Sequence, residues 1–488
     1  MYVYGHRTGR KVRQTIDWWL VACYLALVFI GLINIYASVH SAEPNSIFDW
    51  SVRSGKQFVW LLTAFALAAI IIFAVSPRLW ESPLTPILYC VVLFLLVAVI
   101  FLGVEVKGSR SWFEFGPVRF QPAEISKITT SLLLAYILSR DWVRLNSARG
   151  LLSAFTIIAL PMLFILSESE TGSALVYMGF LFVLYREGFS GWWLAVIGLV
   201  ILLFILTLVA SSYTSILVLI ALLSLVNFMV HEVFPWWFVI MLPTIVFLGF
   251  FPWLWGLIPT DFAGGVFASI KPVYILIVLS IAATIYFLYK AYRLRSSFLF
   301  VSLAVLLLGI ALVYSTEFIF TNVLQEHQRL RIEVLLGLRQ DPAGVGYNVH
   351  QSMIAIGSGG LFGKGFLNGT QTTYGFVPEQ STDFIFCTVG EEWGFVGCAI
   401  VILLYVFMIW RLVMDAEESR ENFTRIYGYC TASCIFMHLV INIGMTIGIM
   451  PVIGIPLPFL SYGGSSLWGF TILISIFIAL YREERKYF

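Results

Sequence analysis

Apolar runs of about 20 residues recur along nearly the whole chain, and no other feature constrains the fold as strongly. A run of that length crosses the hydrocarbon core of a bilayer as an α-helix, because backbone groups in lipid must be satisfied within the segment. The 488 residues contain about 14 such runs, at 18–37, 57–75, 85–104, 122–139, 151–167, 171–187, 191–210, 213–230, 234–257, 271–290, 297–316, 389–411, 426–450 and 463–481. The crowded stretch 191–257 can also be divided so that the total is 12. The sequence therefore predicts an all-α polytopic membrane protein.

The small supply of charge agrees with this prediction and excludes a soluble domain of useful size. Charged residues make up 11% of the chain and hydrophobic residues 60%, whereas a soluble domain has about a quarter charged residues. The six cysteines lie in or beside apolar runs, which is typical of packing residues. The six histidines show no metal-site spacing. Any active surface must be built from the helices and their loops.

The lysine and arginine residues predict which side of the membrane each loop faces. An even number of spans places both termini on one side, and the side with more Lys and Arg is normally cytoplasmic. Of the 29 basic residues, 18 fall in segments on the side of the termini and ten on the other, with Lys127 inside a span. We therefore expect cytoplasmic termini, a retained first helix, and an extracytoplasmic position for the long loop 317–388.

The segment that leads into the fourth apolar run carries charge at membrane depth. Arg110 and Gln121 precede the run, while Glu124 and Lys127 lie three residues apart within it, on one helix face. Ionisable groups inside a span cost about 2.5–3.5 kcal/mol each and so tend to face a cavity, which favours a functional role for this pair. A structural ion pair near the interface is the alternative interpretation.

The long loop contains further polar candidates for ligand binding, namely Arg329, Arg331, Gln351, Ser352 and Lys364. Glycines surround Lys364, but the phosphate-loop pattern fails, because Ser358 stands where it requires glycine and Gly365 where it requires a hydroxyl. We expect these glycines to let the backbone approach a ligand closely, with Lys364 as a point charge for phosphate.

Asp383 ends this loop, close to Glu379 and Thr382 and just before an aromatic, apolar run. A carboxylate at such a boundary is partly desolvated, which raises its pKa and makes it a better general base. Thr-Asp pairs also commonly cap the helix that follows. The residues alone support the two interpretations equally.

The segment 442–466 contains three prolines and several glycines, so it interrupts helix at membrane depth. Irregular backbone is tolerated there only where protein or water satisfies it. We expect this segment, with Ser461 and Gly463, to line the same outer site as Asp383. An ordinary re-entrant turn is the alternative.

These residues resemble the motifs of the SEDS family of bacterial shape, elongation, division and sporulation proteins. Gly363-Lys364-Gly365 resembles the RodA branch rather than the FtsW branch. The matching stretches extend over nearly the whole chain: Asp17-Trp18, Lys56-Gln57, Gln121-Pro122 with Glu124 and Lys127, Asp341-Pro342 with Gly344, Gly346-Tyr347, Gln351-Ser352, Pro378-Glu379 with Thr382-Asp383, Glu391-Glu392, and Pro456-Leu-Pro458 with Ser461-Tyr-Gly-Gly-Ser-Ser.

The resemblance implies a peptidoglycan glycosyltransferase that polymerises lipid II, with inversion, into β-1,4-linked glycan strands during cell elongation and shape maintenance. It also implies a ten-helix core similar to GT-C lipid-sugar transferases, in residues 1–211 and 297–488, with about four inserted helices at 212–296. By family analogy Asp383 is the general base, with Glu124 and Lys127 holding it in position. Undecaprenyl pyrophosphate would leave near the cations, for which the candidates are Arg110, Arg329, Arg331 and Lys364.

The same resemblance implies a bacterial plasma membrane protein that works with lipid II, membrane lipid and a class B penicillin-binding protein transpeptidase, and without nucleic acid. No cofactor is required by the resemblance, and a divalent cation, Mg²⁺ or Mn²⁺, is a candidate assistant. Two other function classes remain open: a lipid II flippase, which also needs polar groups and broken helices, and a non-catalytic scaffold of the cell-wall synthesis complex.

Two short stretches depart from the family pattern. The usual Gln-Pro-Asp-Leu-Gly-Thr is Glu168-Ser-Glu170-Thr-Gly172-Ser in this chain, and the histidine that commonly precedes Thr-Asp is Ser381. The contacts of the first stretch, and any role for an imidazole beside the base, are therefore in question.

Overall fold

The computed structural model describes residues 16–39, 46–106, 109–116, 118–140, 147–231, 297–324, 326–336 and 346–486, with a few isolated positions besides. The chain divides into two compact units, one of Met1–Ser190 with Asp341–Phe488 and one of Gly191–Gln340. The second unit contains the stretch 212–296 and extends beyond it on both sides. An insertion at 212–296 stays a prediction.

Helices make up most of the described chain. Their bounds are α1 Trp18–Val39, α2 Arg53–Ala69, α3 Leu84–Leu102, α4 Pro122–Leu138, α5 Ala148–Ser167, α6 Thr171–Val176, α7 Phe180–Arg186, α8 Gly191–Val209, α9 Ser212–His231, α10 Ser297–Asn322, α11 Glu326–Leu335, α12 Tyr347–Ser358, α13 Thr370–Thr373, α14 Ile385–Glu418, α15 Asn422–Thr446 and α16 Gly464–Lys486. In the second unit, α8, α9 and α10 pack against one another.

Among the described residues, nine helices are long and apolar enough to cross a membrane. Helices are present at 12 of the predicted apolar runs, and the runs 234–257 and 271–290 lie outside the described residues apart from isolated positions. The prediction of a polytopic helical membrane protein is confirmed at this level. The total of 14 spans stays a prediction.

The region between α3 and α4 corrects the expectation of an entirely helical chain. Three short strands, β1 Val104–Val106, β2 Ser109–Phe115 and β3 Val118–Phe120, form an antiparallel sheet in the order β1-β2-β3. In β1 and β3 one charged residue stands between two apolar ones, whereas β2 has no regular alternation. Gly116, with a φ of 62°, lies in the turn between β2 and β3.

The loop expected at 317–388 is also shorter and more structured than predicted. Helix α10 continues to Asn322, α14 begins at Ile385, and α11, α12 and α13 lie between them. These three helices gave no signal of a membrane span because they are too short or too polar.

Helix α4 lies at the centre of the first unit, where it packs against α3, α5, α15 and α16. Nearly every residue from Pro122 to Ala135 is buried. The charged residues of α4 are therefore enclosed by neighbouring helices.

Helix α14 is kinked at Gly394, where φ is 67° and ψ is −161°. The kink frees backbone groups from the helical pattern, and the loop 359–365 pairs with them. Phe395 N donates to Gly360 O (2.9 Å), and Lys364 N donates to Glu391 O (3.0 Å). A Cβ built on Gly363 would lie 2.1 Å from Glu392 O. Gly363 thus packs the loop closely against α14, whereas a Cβ built on Gly360 would meet nothing within 4 Å. The close approach of these glycines to a ligand stays a prediction.

Candidate active site

The non-helical segment between α15 and α16, residues 447–463, joins many of the predicted site residues. Ser461 Oγ donates to Thr382 O (2.6 Å), and Tyr462 N donates to Ser381 O (2.8 Å). Gly463 N donates to Gln57 Oε1 (3.2 Å), so the segment is also tied to α2. The structure therefore brings Ser461 to the turn that carries Asp383.

Asp383 is half-buried and lies one residue before the N-cap of α14. That N-cap is Phe384, whose side chain has no polar atom, and the helix-capping interpretation of Asp383 stays a prediction. Asn442 Nδ2 donates to Asp383 O (2.9 Å) and to Ile455 O (2.7 Å). On the carboxylate side, a Cβ built on Gly454 would lie 3.4 Å from Asp383 Oδ2. Gly454 of the 447–463 segment thus lies beside the Asp383 carboxylate, and Asn442 of α15 joins the backbone of Asp383 to that segment.

Glu124 and Lys127 form an ion pair inside the helical core. Lys127 Nζ lies 2.9 Å from Glu124 Oε1 and 2.9 Å from His438 Nε2, and both charged side chains are 3% exposed. The Lys127 ammonium lies over the ring of Phe470, with Nζ 4.9 Å from the ring centroid. His438 Nδ1 in turn lies 3.1 Å from Pro456 O. The pair is therefore buried by protein and connected through His438 to the 447–463 segment.

Two further carboxyl groups lie in the turn between α5 and α6. Gln121 donates to Glu170 Oε1, which also accepts from Ser173 Oγ (2.5 Å). Glu168 is 2% exposed, and neither of its carboxylate oxygens has a hydrogen-bond partner in the described part of the chain. Burial, and next the charge of Glu170, raise the pKa of Glu168 to about 8. We therefore expect the Glu168 carboxyl to be mostly neutral at pH 7.

Burial likewise raises the pKa of Glu170, although the hydrogen bonds from Ser173 and Gln121 oppose that shift. The turn is held against the rest of the site at Gly172, where a built Cβ would lie 2.7 Å from Ile453 O. Sequence reasoning noted this stretch only as a departure from the family pattern. The feature of the sequence that could have revealed these carboxyl groups as part of the site is the pair of glutamates at the end of an apolar run.

Arg110, on β2, is one of the predicted site residues that lie at the surface. Its guanidinium pairs with Glu105 at 3.3 Å, and both side chains are more than half exposed. Its backbone N donates to Glu168 O (3.3 Å), which joins the sheet to the turn between α5 and α6.

Lys364 lies in a second polar cluster, centred on Glu391 of α14. Glu391 is fully buried, and its carboxylate lies 2.7 Å from Lys364 Nζ. The same carboxylate accepts from the backbone N of Gln371 and of Thr372, each at 2.9 Å. Lys364 Nζ also donates to Thr370 Oγ1 (2.8 Å). The positive charge expected to meet a phosphate is therefore already matched by a buried carboxylate.

The remaining candidates of the first unit lie around the same elements. Ser352 is buried on α12 and donates to Thr446 O (3.0 Å), while Gln351 is partly exposed on that helix. Thr382 Oγ1 donates to Glu379 Oε2 (3.0 Å), and Glu379 adopts a φ of 53°. Glu379 and Thr382 thus shape the turn before Asp383.

Two predicted cations belong to the second unit. Arg329, on α11, pairs with Glu333 at 2.7 Å. The side chain of Arg331 lies outside the described residues.

Arg53, at the start of α2, is a cation that sequence reasoning missed. One of its guanidinium nitrogens donates to Ser381 Oγ (2.6 Å), and the guanidinium lies 5.8 Å from the centroid of the Tyr462 ring. Ser381 is the residue that stands where the family commonly has histidine. The only signal in the sequence was the neighbouring Lys56-Gln57 motif.

No group of three or more His, Cys, Asp or Glu residues suited to hold a metal ion occurs in the ranges that the structure describes. A role for Mg²⁺ or Mn²⁺ stays a prediction.

A family model described as "Cell cycle protein", which covers FtsW, RodA and SpoVE, matches residues 17–227 and 241–486. The chain belongs to the FtsW/RodA/SpoVE family. This family member is 31% identical over 467 residues to "Peptidoglycan glycosyltransferase RodA" of Treponema pallidum, covering 95% of this chain and 97% of the relative. It is 30% identical over 459 residues to "Peptidoglycan glycosyltransferase MrdB" of Escherichia coli K12, covering 93% and 92%.

Solved structures show the same fold. One comes from work titled "Structural coordination of polymerization and crosslinking by a peptidoglycan synthase complex", with a TM-score of 0.59, 24% identity, and coverage of 96% of this chain and 98% of that one. A crystal structure of Thermus thermophilus "Rod shape determining protein RodA", in a mutant form, gives a TM-score of 0.54 at 21% identity, with the same coverage. The FtsW/RodA/SpoVE fold thus extends over nearly the whole chain.

Proposed function

We propose that this protein is a RodA-type peptidoglycan glycosyltransferase that polymerises lipid II into glycan strands. Two relatives, matched over more than nine-tenths of their length, carry this activity in their names. The observation that carries the proposal is the placement of Asp383. Its turn is held by Asn442 and Ser461, and the cation Arg53 donates to Ser381, two residues away.

In the proposed reaction, Asp383 accepts the proton of the acceptor sugar's 4-hydroxyl while that oxygen attacks the anomeric carbon of the growing chain. The bond to the diphosphate breaks on the opposite face, so the configuration inverts and undecaprenyl pyrophosphate leaves. A general base held before the substrate arrives contributes about 10²–10⁴-fold to the rate. The hydrogen bonds to the Asp383 turn supply that fixed position.

The departing diphosphate gains negative charge, and fixed cations beside it lower the barrier. We assign this role first to Arg53, because its guanidinium lies at the Asp383 turn. Arg110 is a second candidate, since its ion pair with Glu105 is exposed and exposed pairs exchange partners at little cost.

Lys364 is a weaker candidate for the diphosphate than the sequence suggested, because Glu391 already neutralises its charge. Arg329 and Arg331, of the second unit, stay candidates. A divalent cation would add to this charge stabilisation.

We further propose a plasma membrane location with both termini cytoplasmic and the Asp383 turn extracytoplasmic. The bias of Lys and Arg in the sequence supports this orientation. A class B penicillin-binding protein is the proposed partner. The likeness to a structure whose title joins polymerization with crosslinking in one peptidoglycan synthase complex supports that choice.

The test is polymerisation of fluorescent lipid II by the purified protein, with and without the transpeptidase, followed by gel separation of the glycan chains. We expect Asp383→Asn to lower the rate at least 100-fold at unchanged folded yield. The control, Glu114→Gln, removes an exposed carboxylate and should leave the rate unchanged.

Polymerisation by Asp383→Asn at the wild-type rate would refute the assignment of the base. If the wild-type protein makes no polymer under either condition, the glycosyltransferase proposal fails. A lipid II translocation assay in vesicles would then separate the flippase from the scaffold.

A further inference from the structure

His438 and Asn442 lie four residues apart on α15, so their side chains share one helix face. Asn442 Nδ2 donates to the carbonyl oxygens of Asp383 (2.9 Å) and Ile455 (2.7 Å). His438 Nδ1 lies 3.1 Å from the carbonyl oxygen of Pro456. One helix face therefore holds two consecutive carbonyl groups of the 447–463 segment together with the backbone of Asp383.

The partners of His438 determine which ring nitrogen carries the proton. Lys127 Nζ lies 2.9 Å from Nε2, and an ammonium group can only donate, so Nε2 accepts. The hydrogen is then on Nδ1, which donates to Pro456 O. Both nitrogens are therefore occupied by hydrogen bonds. Because His438 is only 1% exposed, it also offers no surface to a substrate. A role as base or ligand is therefore excluded for this side chain.

The segment that His438 holds needs such donors. It is not helical, so its carbonyl groups lack the partners that a helix would provide. It also lies beside Asp383: Asn442 joins Ile455 O to Asp383 O, and a Cβ built on Gly454 would lie 3.4 Å from Asp383 Oδ2. A displacement of the backbone at 454–456 would therefore be transmitted through Asn442 to Asp383 and its reacting carboxylate. In an active site, a displacement of about 1 Å can lower the rate 10²-fold.

We propose that His438 is a positioning residue for glycosyl transfer. Its Nδ1–H bond to Pro456 O holds the 454–456 backbone beside Asp383. Its Nε2 accepts from Lys127, so the buried Glu124–Lys127 pair fixes the position of the imidazole ring. Asn442 completes the arrangement from the next turn of α15. This inference rests on the proposed function, which it deepens by naming what holds the base in place.

Two substitutions separate the bonds of His438. In His438→Asn the amide nitrogen replaces Nδ1 and keeps the donor to Pro456, but the acceptor for Lys127 is lost. In His438→Gln the side-chain oxygen reaches Lys127, but the donor to Pro456 is lost. Val440→Ala, at a largely exposed position on the same helix, is the matched control.

We expect His438→Gln to lower kcat about 10–100-fold with KM within about twofold, because substrate contacts are intact and only the base is displaced. His438→Asn should keep kcat within about threefold of wild type, although its thermal stability falls through loss of the Lys127 contact. The ranking of the two variants by kcat should therefore differ from their ranking by melting temperature. A kcat that simply follows the melting temperature in both would overturn the proposal.

Hydrogen–deuterium exchange provides a second measurement that does not depend on activity. The amides of 452–455, of Leu457 and of Phe384 should exchange faster in His438→Gln than in wild type, and at nearly wild-type rates in His438→Asn. If exchange changes in this way while the wild-type protein makes no polymer, the positioning role stands and the proposed reaction falls. Unchanged exchange in His438→Gln would refute the positioning role whatever the polymerisation assay gives.

Discussion

Replacing Glu168 by Gln tests whether this buried carboxyl is neutral in the folded protein. Glu168 is 2% exposed, and neither carboxylate oxygen has a hydrogen-bond partner among the described residues. Its pKa is raised from the ordinary 4.5 to about 8. Glutamine has the shape of the protonated acid but cannot ionise, so the substitution removes the titration and little else.

The sign of the effect follows from proton binding. Between about pH 4.5 and 8 the folded protein keeps a proton on Glu168 that the unfolded chain has lost, so the free energy of unfolding falls as the pH rises. Relative to Glu168→Gln, this loss is about 1 kcal/mol at pH 5, about 3 kcal/mol at pH 7 and about 4 kcal/mol at pH 8. The difference between variant and wild type should therefore grow by about 3 kcal/mol from pH 5 to pH 8.

Thermal unfolding of the detergent-solubilised protein from pH 5 to pH 9 measures this difference. With an unfolding entropy of about 2 cal/mol/K per residue, 3 kcal/mol in a unit of this size corresponds to a change on the order of 4 °C in Tm. The control is Glu105→Gln, which removes an exposed carboxylate. It should stay within about 0.5 kcal/mol of wild type throughout the range.

Parallel curves for wild type and Glu168→Gln would show that the Glu168 carboxyl does not retain its proton on folding. A variant less stable than wild type at pH 8 would show the opposite of the expected sign. That outcome would mean that the ionised carboxylate has a stabilising partner.

Lys127→Met should lower the free energy of unfolding by about 3–5 kcal/mol, because it leaves Glu124 charged, buried and without its cation. Adding Glu124→Gln should restore at least half of that loss in thermal denaturation, and no recovery would contradict the ion-pair explanation. Gly363→Ala should sharply reduce the monodisperse yield in detergent, since φ is 79° and a Cβ would lie 2.1 Å from Glu392 O. Gly357→Ala, where a Cβ meets nothing within 4 Å, should keep the wild-type yield, and equal yields for both variants would refute the close-packing argument.

The membrane-spanning helices were readable from the sequence because the bilayer imposes one solution on an apolar run. Residues 18–37 and 85–104 were predicted as spans, and the structure has α1 at Trp18–Val39 and α3 at Leu84–Leu102. The inference of spans depends on local pattern, which sequence carries directly. The structure brings Ser461 to Thr382, beside Asp383, and the role of Ser461 as a site residue stays a prediction.

The parts that sequence reasoning missed have weak local signals. The strands between Val104 and Phe120 are short and lack a shared alternation, so they gave no clear signal between two apolar runs. The glycines around Lys364 are compatible with many contacts, and only their approach to α14 shows which one they make.

The sequence alone determined that this chain crosses a membrane many times and carries its unusual polar residues near the ends of a few helices. Tertiary structure decided which of those residues meet. Lys127 meets His438 across 311 residues, and Arg53 meets Ser381 across 328. Such pairings depend on how distant helices pack, and neither hydrophobic periodicity nor motif spacing contains that information. The surroundings of Asp383 are therefore a product of helix packing, although Asp383 itself was visible in the sequence.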